Sequence, residues 1–376
     1  MGCRKSSLEK MVTLFNPNFW QGKSVFLTGH TGFKGSWLSL WLKNLGAKLI
    51  GYSLPPPTDP SLFELVGIAD NMVSIQGDVL NFENLKSAIK KYKPEIVIHM
   101  AAQSLVRYSY NHPLETYMTN VIGTANILEA VRQTGGAKAV LIVTSDKCYE
   151  NNEQVAGYKE NDNMGGYDPY SSSKGCAELV TSAFRQSFFP RNNFEKHGTA
   201  VASARAGNVI GGGDWAQDRL IPDVVRGILS KQTIKIRNPN AVRPWQHVLE
   251  PLGGYLTLVE KLYNNGPQFA EAWNFGPKDS DDKSVAWVVE RFLKIWGGNI
   301  TWLSEEDKTL HEAAYLRLNC NKAQNCLSWE PHWGIENALE KTAEWYKAYK
   351  EKQNMQEFTI SQITQYEKGL AGISKL

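Results

Sequence analysis

The feature that most restricts this fold is a glycine-spaced turn between an apolar run and a helix-patterned stretch. Lys23-Ser-Val-Phe-Leu-Thr28 leads into Gly29-His30-Thr31-Gly32-Phe33-Lys34-Gly35, and a helical pattern follows from Lys34 to Asn44. Such a turn lets backbone N–H groups approach a diphosphate, whose charge is favoured at a helix N-terminus. On its own the pattern also fits a plain tight turn. Its surroundings narrow the choice. Apolar runs recur at Lys48–Tyr52, Glu95–Met100, Ala139–Val143 and Ala200–Ala204, separated by helix-like stretches at Glu83–Tyr92, Pro113–Thr134 and Tyr170–Phe188. This alternation predicts an α/β fold, a doubly wound parallel Rossmann-type sheet.

After Gly207 the pattern changes, which predicts a smaller C-terminal α/β substrate-binding lobe. The expected division is a dinucleotide-binding unit over 20–207, completed by 246–277, a substrate lobe from 208–245 and 278–350, and a polar tail, 351–376, helical or loosely attached. With 376 residues, 42% of them hydrophobic, the chain can bury a sizeable core. A formal charge of +3 gives no support to nucleic acid or a membrane surface as partner. Five cysteines without a C-x-x-C pair suit a reduced, cytoplasmic protein with no metal site. No run reaches transmembrane length and no signal peptide is visible. Met1-Gly2-Cys3-Arg4-Lys5-Ser6 meets the permissive myristoylation pattern, and Met11 is an alternative start.

For the cofactor, Gly29, His30, Thr31, Gly32, Phe33 and Gly35 form the expected diphosphate cradle, and Asp78-Val79 are expected at the adenine. The second strand ends in Ser53 rather than the usual ribose-binding acid, with no adjoining arginine for a 2′-phosphate. NAD is therefore expected, with NADP left open. The bulk of His30 suggests a loosely held nucleotide.

The chemistry is expected from two short motifs. Tyr170 and Lys174 lie one helical turn apart, so the lysine's charge can favour a tyrosinate base. Ser145-Asp146-Lys147 ends an apolar strand, at the sheet edge where ligands bind in such folds. A simple dehydrogenase needs the hydroxyl; a dehydratase also needs an acid and a base. A solvated Asp-Lys pair is the bland alternative.

Together these residues resemble the extended short-chain dehydrogenase/reductase family, and within it the nucleotide-sugar 4,6-dehydratases. The likeness covers about Gly22 to Trp333. Its markers are Thr28 to Gly35, Ala101-Ala-Gln-Ser104, Asn120-Val-Ile-Gly-Thr124, Ser145-Asp146-Lys147, Tyr170 to Lys174, and Gly207-Asn208. Ser-Asp-Lys in place of Thr-Asp-Glu, Arg243-Pro-Trp-Gln-His-Val248 and Trp273-Asn-Phe-Gly-Pro277 are most similar to the branch acting on CDP-glucose. The resemblance implies that Ala101, Ala102, Gln103, Asn120, Tyr170 and Lys174 also meet the cofactor. Ser104, Asn208 and Tyr315 are expected at the sugar nucleotide, with Arg219 and Arg243 as diphosphate candidates because arginine matches oxyanions. Arg237 reads better as a surface ion-pair partner.

The resemblance further implies a homodimer or homotetramer joined through the helices Pro113–Thr134 and Tyr170–Phe188. Its chemistry would be oxidation at sugar carbon 4 by Tyr170, with Ser145 on the same oxygen. Asp146 would protonate the departing 6-hydroxyl, and Lys147 would either remove the carbon 5 proton or stabilise the enolate. Rival readings are a 4,6-dehydratase for a dTDP- or GDP-sugar, a nucleotide-sugar 4-epimerase, and a non-catalytic dinucleotide sensor.

Overall fold

The computed structural model describes residues 16–305 and 315–373. The Met1–Ser6 pattern and Met11 lie outside them. Seven parallel strands form the central sheet: β1 (Ser24–Thr28), β2 (Lys48–Ser53), β3 (Val73–Gln76), β4 (Ile96–His99), β5 (Ala139–Val143), β6 (Ala200–Arg205) and β7 (Ala272–Asn274). They lie in the order β7-β6-β5-β4-β1-β2-β3. The order reverses between β1 and β4, where Thr28 is aligned with Tyr52 on one side and His99 on the other. In doubly wound sheets this reversal opens a ligand crevice at the strands' carboxyl ends.

The central strands are apolar throughout because both faces are covered. Val25, Leu27, Ile96, Ile98 and Leu141 point into one core with Trp37 and Leu38 of helix Phe33–Asn44 and Leu252 and Leu256 of helix Leu249–Asn265. Phe26, Val97, Val140 and Ile142 point into the other, against Leu85 and Ile89 of helix Phe82–Tyr92 and Ile127 and Val131 of helix Gly123–Thr134. The predicted helix Pro113–Thr134 contains a π turn at Met118–Ile122. Such turns recur at functional sites.

Beyond Gly207, short pairs replace long strands. Val209–Ile210 pairs with Gln246–His247, Val242–Pro244 with Asp282–Ser284, and Ile234–Ile236 with Trp302–Ser304. The terminal helix is docked rather than loose. In helix Met355–Ile373, Ile363 and Tyr366 are fully buried, and Glu367 accepts a 2.8 Å bond from the Trp41 indole. Tyr366 donates to Glu250 at 2.9 Å, and that same carboxylate accepts from the His332 and Trp333 amides. Among the described residues, no helix is long and apolar enough to cross a membrane.

Candidate active site

A cleft of about 1630 Å³ runs across the carboxyl end of the sheet. That exceeds the space one small ligand occupies, and leaves room for two nucleotide-sized molecules. Its floor is the turn after β1. Gly29 adopts φ +75°, and a Cβ there would stand 2.7 Å from the Ala101 amide nitrogen. A Cβ on Gly35 would overlap the Gly29 carbonyl, so this glycine lets helix Phe33–Asn44 press against the strand. Gly32 differs: it is the helix N-cap, no side chain caps the first turn, and a Cβ there would meet only the Gly29 oxygen at 3.5 Å. The open N–H groups and the space over Gly32 are what an anionic diphosphate requires.

Thr31, Phe33, Ser53, Asp78, Val79, Ala101, Ala102 and Gln103 line the same cleft. The Ser53 hydroxyl is paired with Thr31 Oγ1 at 2.8 Å. Two expected cofactor contacts lie elsewhere. His30 is 1% exposed and turns away from the cleft, its Nε2 2.8 Å from Ser74 Oγ, in space kept open by Gly51. Burial holds this imidazole down at about 4. Asn120, in the π turn, also lies outside the lining: it bonds the Gln103 amide and carbonyl, each at 2.9 Å, and Ser173 Oγ at 2.8 Å. It shapes the wall without forming its surface.

Opposite the glycine turn, the chain leaves β5 into a single 3₁₀ turn. Ser145 caps it, accepting from the Lys147 amide, while its hydroxyl donates to Asp146 Oδ1 at 3.0 Å. Asp146 is 1% exposed and its Oδ2 has no partner. Lys147 and Asn208 line the cleft beside it.

Tyr170 and Lys174 come from the first turns of helix Pro169–Ser187. Asp168 caps this helix through the Ser171 amide at 2.9 Å, and Pro169 occupies the first position, where its missing N–H costs nothing. Both side chains are buried in the cleft wall. Burial is the largest influence and pushes the phenol up to about 12, opposed chiefly by a hydrogen bond with Ser145 and then by Arg219. Burial also brings Lys174 down to about 8.

Beneath both motifs lies a buried polar cluster that the sequence did not disclose. Arg205 grips Glu178 with two 2.9 Å bonds, Nε to Oε1 and Nη2 to Oε2. Glu178 also accepts from Thr144 at 2.5 Å and Ser203 at 2.7 Å, which ties β5, β6 and the Tyr170 helix together. The helix needs its small residues internally as well. A Cβ on Gly175 would stand 2.8 Å from the Gly165 carbonyl oxygen.

On the cleft wall formed after Gly207, Arg219 is held by Asp214 at 2.9 Å and donates to Ser104 Oγ at 2.8 Å, so these two expected contacts form one unit. Arg243 is buried along the cleft. Arg237 pairs with Asp218 at 2.6 Å, as its surface reading implied, though it too borders the cleft. Tyr315 does not line it: its hydroxyl bonds Asp282 at 3.2 Å, while the neighbouring Leu316 supplies the surface.

Lys34 is the residue that sequence reasoning missed. Its amine turns inward to donate to Tyr255 at 3.1 Å. Burial first, then Lys174 and Arg219, push it down to about 7, against the pull of Asp146. The two partners stand 221 positions apart, and no local signal marks them.

The sequence model described as GDP-mannose 4,6 dehydratase matches residues 26–342. The chain belongs to the GDP-mannose 4,6 dehydratase family. That family lies within the extended short-chain dehydrogenase/reductases. The chain is 55% identical over 353 residues to a CDP-glucose 4,6-dehydratase of Salmonella typhimurium, covering 94% of this chain and 98% of that protein. Among solved structures, it resembles dTDP-glucose 4,6-dehydratase from Bacillus anthracis in complex with NAD, with TM-score 0.72, 23% identity, and 88% and 99% of the two chains covered. UDP-glucose 4-epimerase from Thermotoga maritima gives TM-score 0.75 at 21% identity, over 86% of this chain and 99% of that one. At such identities the structural likeness speaks for the fold of the family alone.

Proposed function

We propose that this chain is a CDP-glucose 4,6-dehydratase that converts CDP-D-glucose to CDP-4-keto-6-deoxy-D-glucose and water with NAD bound. One observation carries the reading: Ser145, Asp146 and Lys147 stand in the same cleft as Tyr170 and Lys174, in a chain 55% identical to a protein of that activity. An epimerase needs the tyrosine and lysine but has no use for a buried acid beside them.

The glycine turn fits a dinucleotide, because Gly32 leaves open space at an uncapped helix end. Gly29, Thr31, Gly32, Phe33 and Gly35 would hold its diphosphate, and Asp78 and Val79 its adenine. Ser53, without a neighbouring arginine, favours NAD over NADP. When bound, the dinucleotide supplies a hydride acceptor and donor and ends the turnover in its initial state. The lobe formed by 208–245 and 278–350 takes the sugar nucleotide, with Arg219, Arg243, Ser104 and Asn208 at its diphosphate and sugar.

The protein's own residues then divide the proton work. Tyr170, as tyrosinate, takes the carbon 4 hydroxyl proton, and Ser145 orients that oxygen. The resulting ketone acidifies carbon 5. Lys147 faces the cleft to remove that proton or to stabilise the enolate. Asp146 is the general acid that delivers a proton to the departing 6-hydroxyl.

The chain works as a homodimer or homotetramer in the cytoplasm in this reading. Leu114, Met118 and Ile122 recur every four residues and are 80%, 46% and 41% exposed; Leu179 on the neighbouring helix is 59% exposed. Water contact over such an apolar stripe is unfavourable, and a second copy's helix pair would remove it. Thiols at Cys148, Cys176 and Cys320 that form no disulfide suit a reducing compartment.

The test is product NMR after incubation with CDP-glucose and NAD in deuterated water. A 4-keto-6-deoxy sugar with deuterium at carbon 5 is expected. CDP-galactose would instead identify an epimerase. Turnover of dTDP-glucose or GDP-mannose alone would move the assignment to another base.

A further inference from the structure

Four buried side chains behind the cleft form one directed chain of hydrogen bonds where the strand order reverses. Thr28 ends β1 and His99 ends β4, Asn120 lies in the π turn, and Thr124 is in the first turn of the helix after it. All four are buried, and none of them lines the cleft. The Thr28 hydroxyl oxygen accepts from the Met100 and Ala101 amides at 3.1 and 3.2 Å, and stands 2.8 Å from His99 Nδ1.

A hydroxyl oxygen has two lone pairs and one proton. The two amides can only donate, so they occupy both lone pairs of Thr28, and its own proton goes to His99 Nδ1. That nitrogen is therefore an acceptor, which makes the ring neutral with its proton on Nε2. Burial opposes a charge on the ring in the same sense. From Nε2 the chain continues to Thr124 Oγ1 at 3.5 Å, its longest link, and Thr124 donates to the Asn120 carbonyl at 2.7 Å. The Asn120 side chain in turn holds the amide and carbonyl of Gln103 and reaches Ser173 on the Tyr170 helix. The strip Met100–Gln103, which lines the cleft, is thus tied at one end by Thr28 and at the other by Asn120. Gly29 approaches this strip so closely that a Cβ would stand 2.7 Å from the Ala101 nitrogen. A small shift of the strip therefore changes the space left for a dinucleotide.

On the dinucleotide reading of the glycine turn, we infer that His99 is a positioning residue for the cofactor. As the neutral Nε2–H tautomer it links Thr28 to Asn120 and fixes the Met100–Gln103 strip against that turn. It touches neither the cofactor nor the reacting atoms. In this state every donor of the chain meets an acceptor. Turning the ring over, or charging it, would press a third donor on an oxygen that has two lone pairs. The order is present before the cofactor arrives, so it acts on affinity rather than on the rate of the bound complex.

Nitrogen NMR of the full chain with isotope-labelled histidines tests the tautomer. The His99 signal, assigned by its loss in His99→Asn, should be that of a neutral ring with its proton on Nε2. Calorimetric titration with NAD then compares wild type with Thr28→Val, His99→Leu and His99→Asn. Thr28→Val keeps the shape, removes the hydroxyl and should weaken NAD binding about tenfold, through the buried groups it leaves unpaired. His99→Leu should do the same. Asparagine sets an amide oxygen near the place of Nδ1, so His99→Asn should recover most of the affinity. At saturating NAD, kcat on CDP-glucose should stay within about threefold of wild type in all three. A proton on Nδ1, a charged ring, or unaltered NAD affinity in Thr28→Val would overturn the positioning role and leave the dehydratase reading intact. So would a fall in kcat at saturating NAD with affinity unaltered. If His99→Leu does not fold, Thr28→Val and the wild-type spectrum decide the question. A wild-type protein that binds no NAD would remove the cofactor reading itself, and the role of His99 with it.

Discussion

The carboxylate of Asp146 lies directly on Gly207: a Cβ at position 207 would overlap Asp146 Oδ2. The buried acid therefore keeps its place only because its neighbour has no side chain. Gly207→Ala should displace Asp146 and slow turnover on CDP-glucose by about a hundredfold to ten-thousandfold, the range for losing one acid. Steady-state kinetics alongside a thermal melt would separate this from unfolding. Wild-type turnover with normal stability would show that the contact is not needed.

Asp146→Asn preserves the shape of the pocket and removes only the transferable proton. The same hundredfold to ten-thousandfold loss is expected, about 3–5 kcal/mol of transition-state stabilisation. Affinity for NAD, measured by calorimetric titration, should hardly change, because the glycine cradle belongs to a different loop. Near-full turnover would remove Asp146 from the role of acid.

The Glu178–Arg205 pair is buried on both sides, with 3% and 4% of the side chains exposed. Removing one partner leaves the other charge without compensation. Arg205→Met should therefore cost about 3–5 kcal/mol in denaturant unfolding. A loss below about 1 kcal/mol would place the pair with weak surface bridges.

Stability should also fall in mild acid. His247 is buried between Trp37 and Trp333, with ring centroids 5.9 and 5.0 Å away, and burial pushes it down to about 3. His99 is likewise held at about 3, and His30 at about 4. Unfolded histidine binds its proton near pH 6.5, so between that pH and about 4 the unfolded chain holds more protons than the native one. The stability present above pH 6.5 is thus lost as the pH falls. Melting temperatures from pH 7 to 4 should trace this decline, and His247→Phe should flatten it. An unchanged slope in that variant would assign the acid sensitivity elsewhere.

For the assembly, Leu179→Glu places a charge within the exposed apolar stripe. Light scattering should show an oligomer for the wild type and a smaller assembly for this variant. An unaltered size would move the proposed interface to another face.

The sequence carried the sheet and the chemistry to different depths. Strands β1, β4 and β5 were legible because parallel strands covered on both faces are apolar throughout, and the glycine turn fixed which end of the sheet opens. Ser145, Asp146, Tyr170 and Lys174 were legible because their spacing is local. His30 and Asn120 were misplaced for one reason: neighbours in sequence do not reveal which way a side chain turns. His30 follows the space left by Gly51 on the adjacent strand, and Asn120 follows a π turn that shifts its register. The Lys34–Tyr255 and Glu178–Arg205 pairs were out of reach because only the completed fold brings them together.

The side chain of Glu250 has a consequence for how such proteins diversify. It stands on the helix that closes the central sheet, yet it binds the amides of residues 332 and 333 and the hydroxyl of Tyr366. Helix Leu249–Asn265, the turn at residues 332–333 and the terminal helix are thereby pinned to one carboxylate, and a crossover between relatives that separated them would sever it. New specificities in this lineage are therefore expected to arise by point changes along the cleft wall rather than by exchange of large segments.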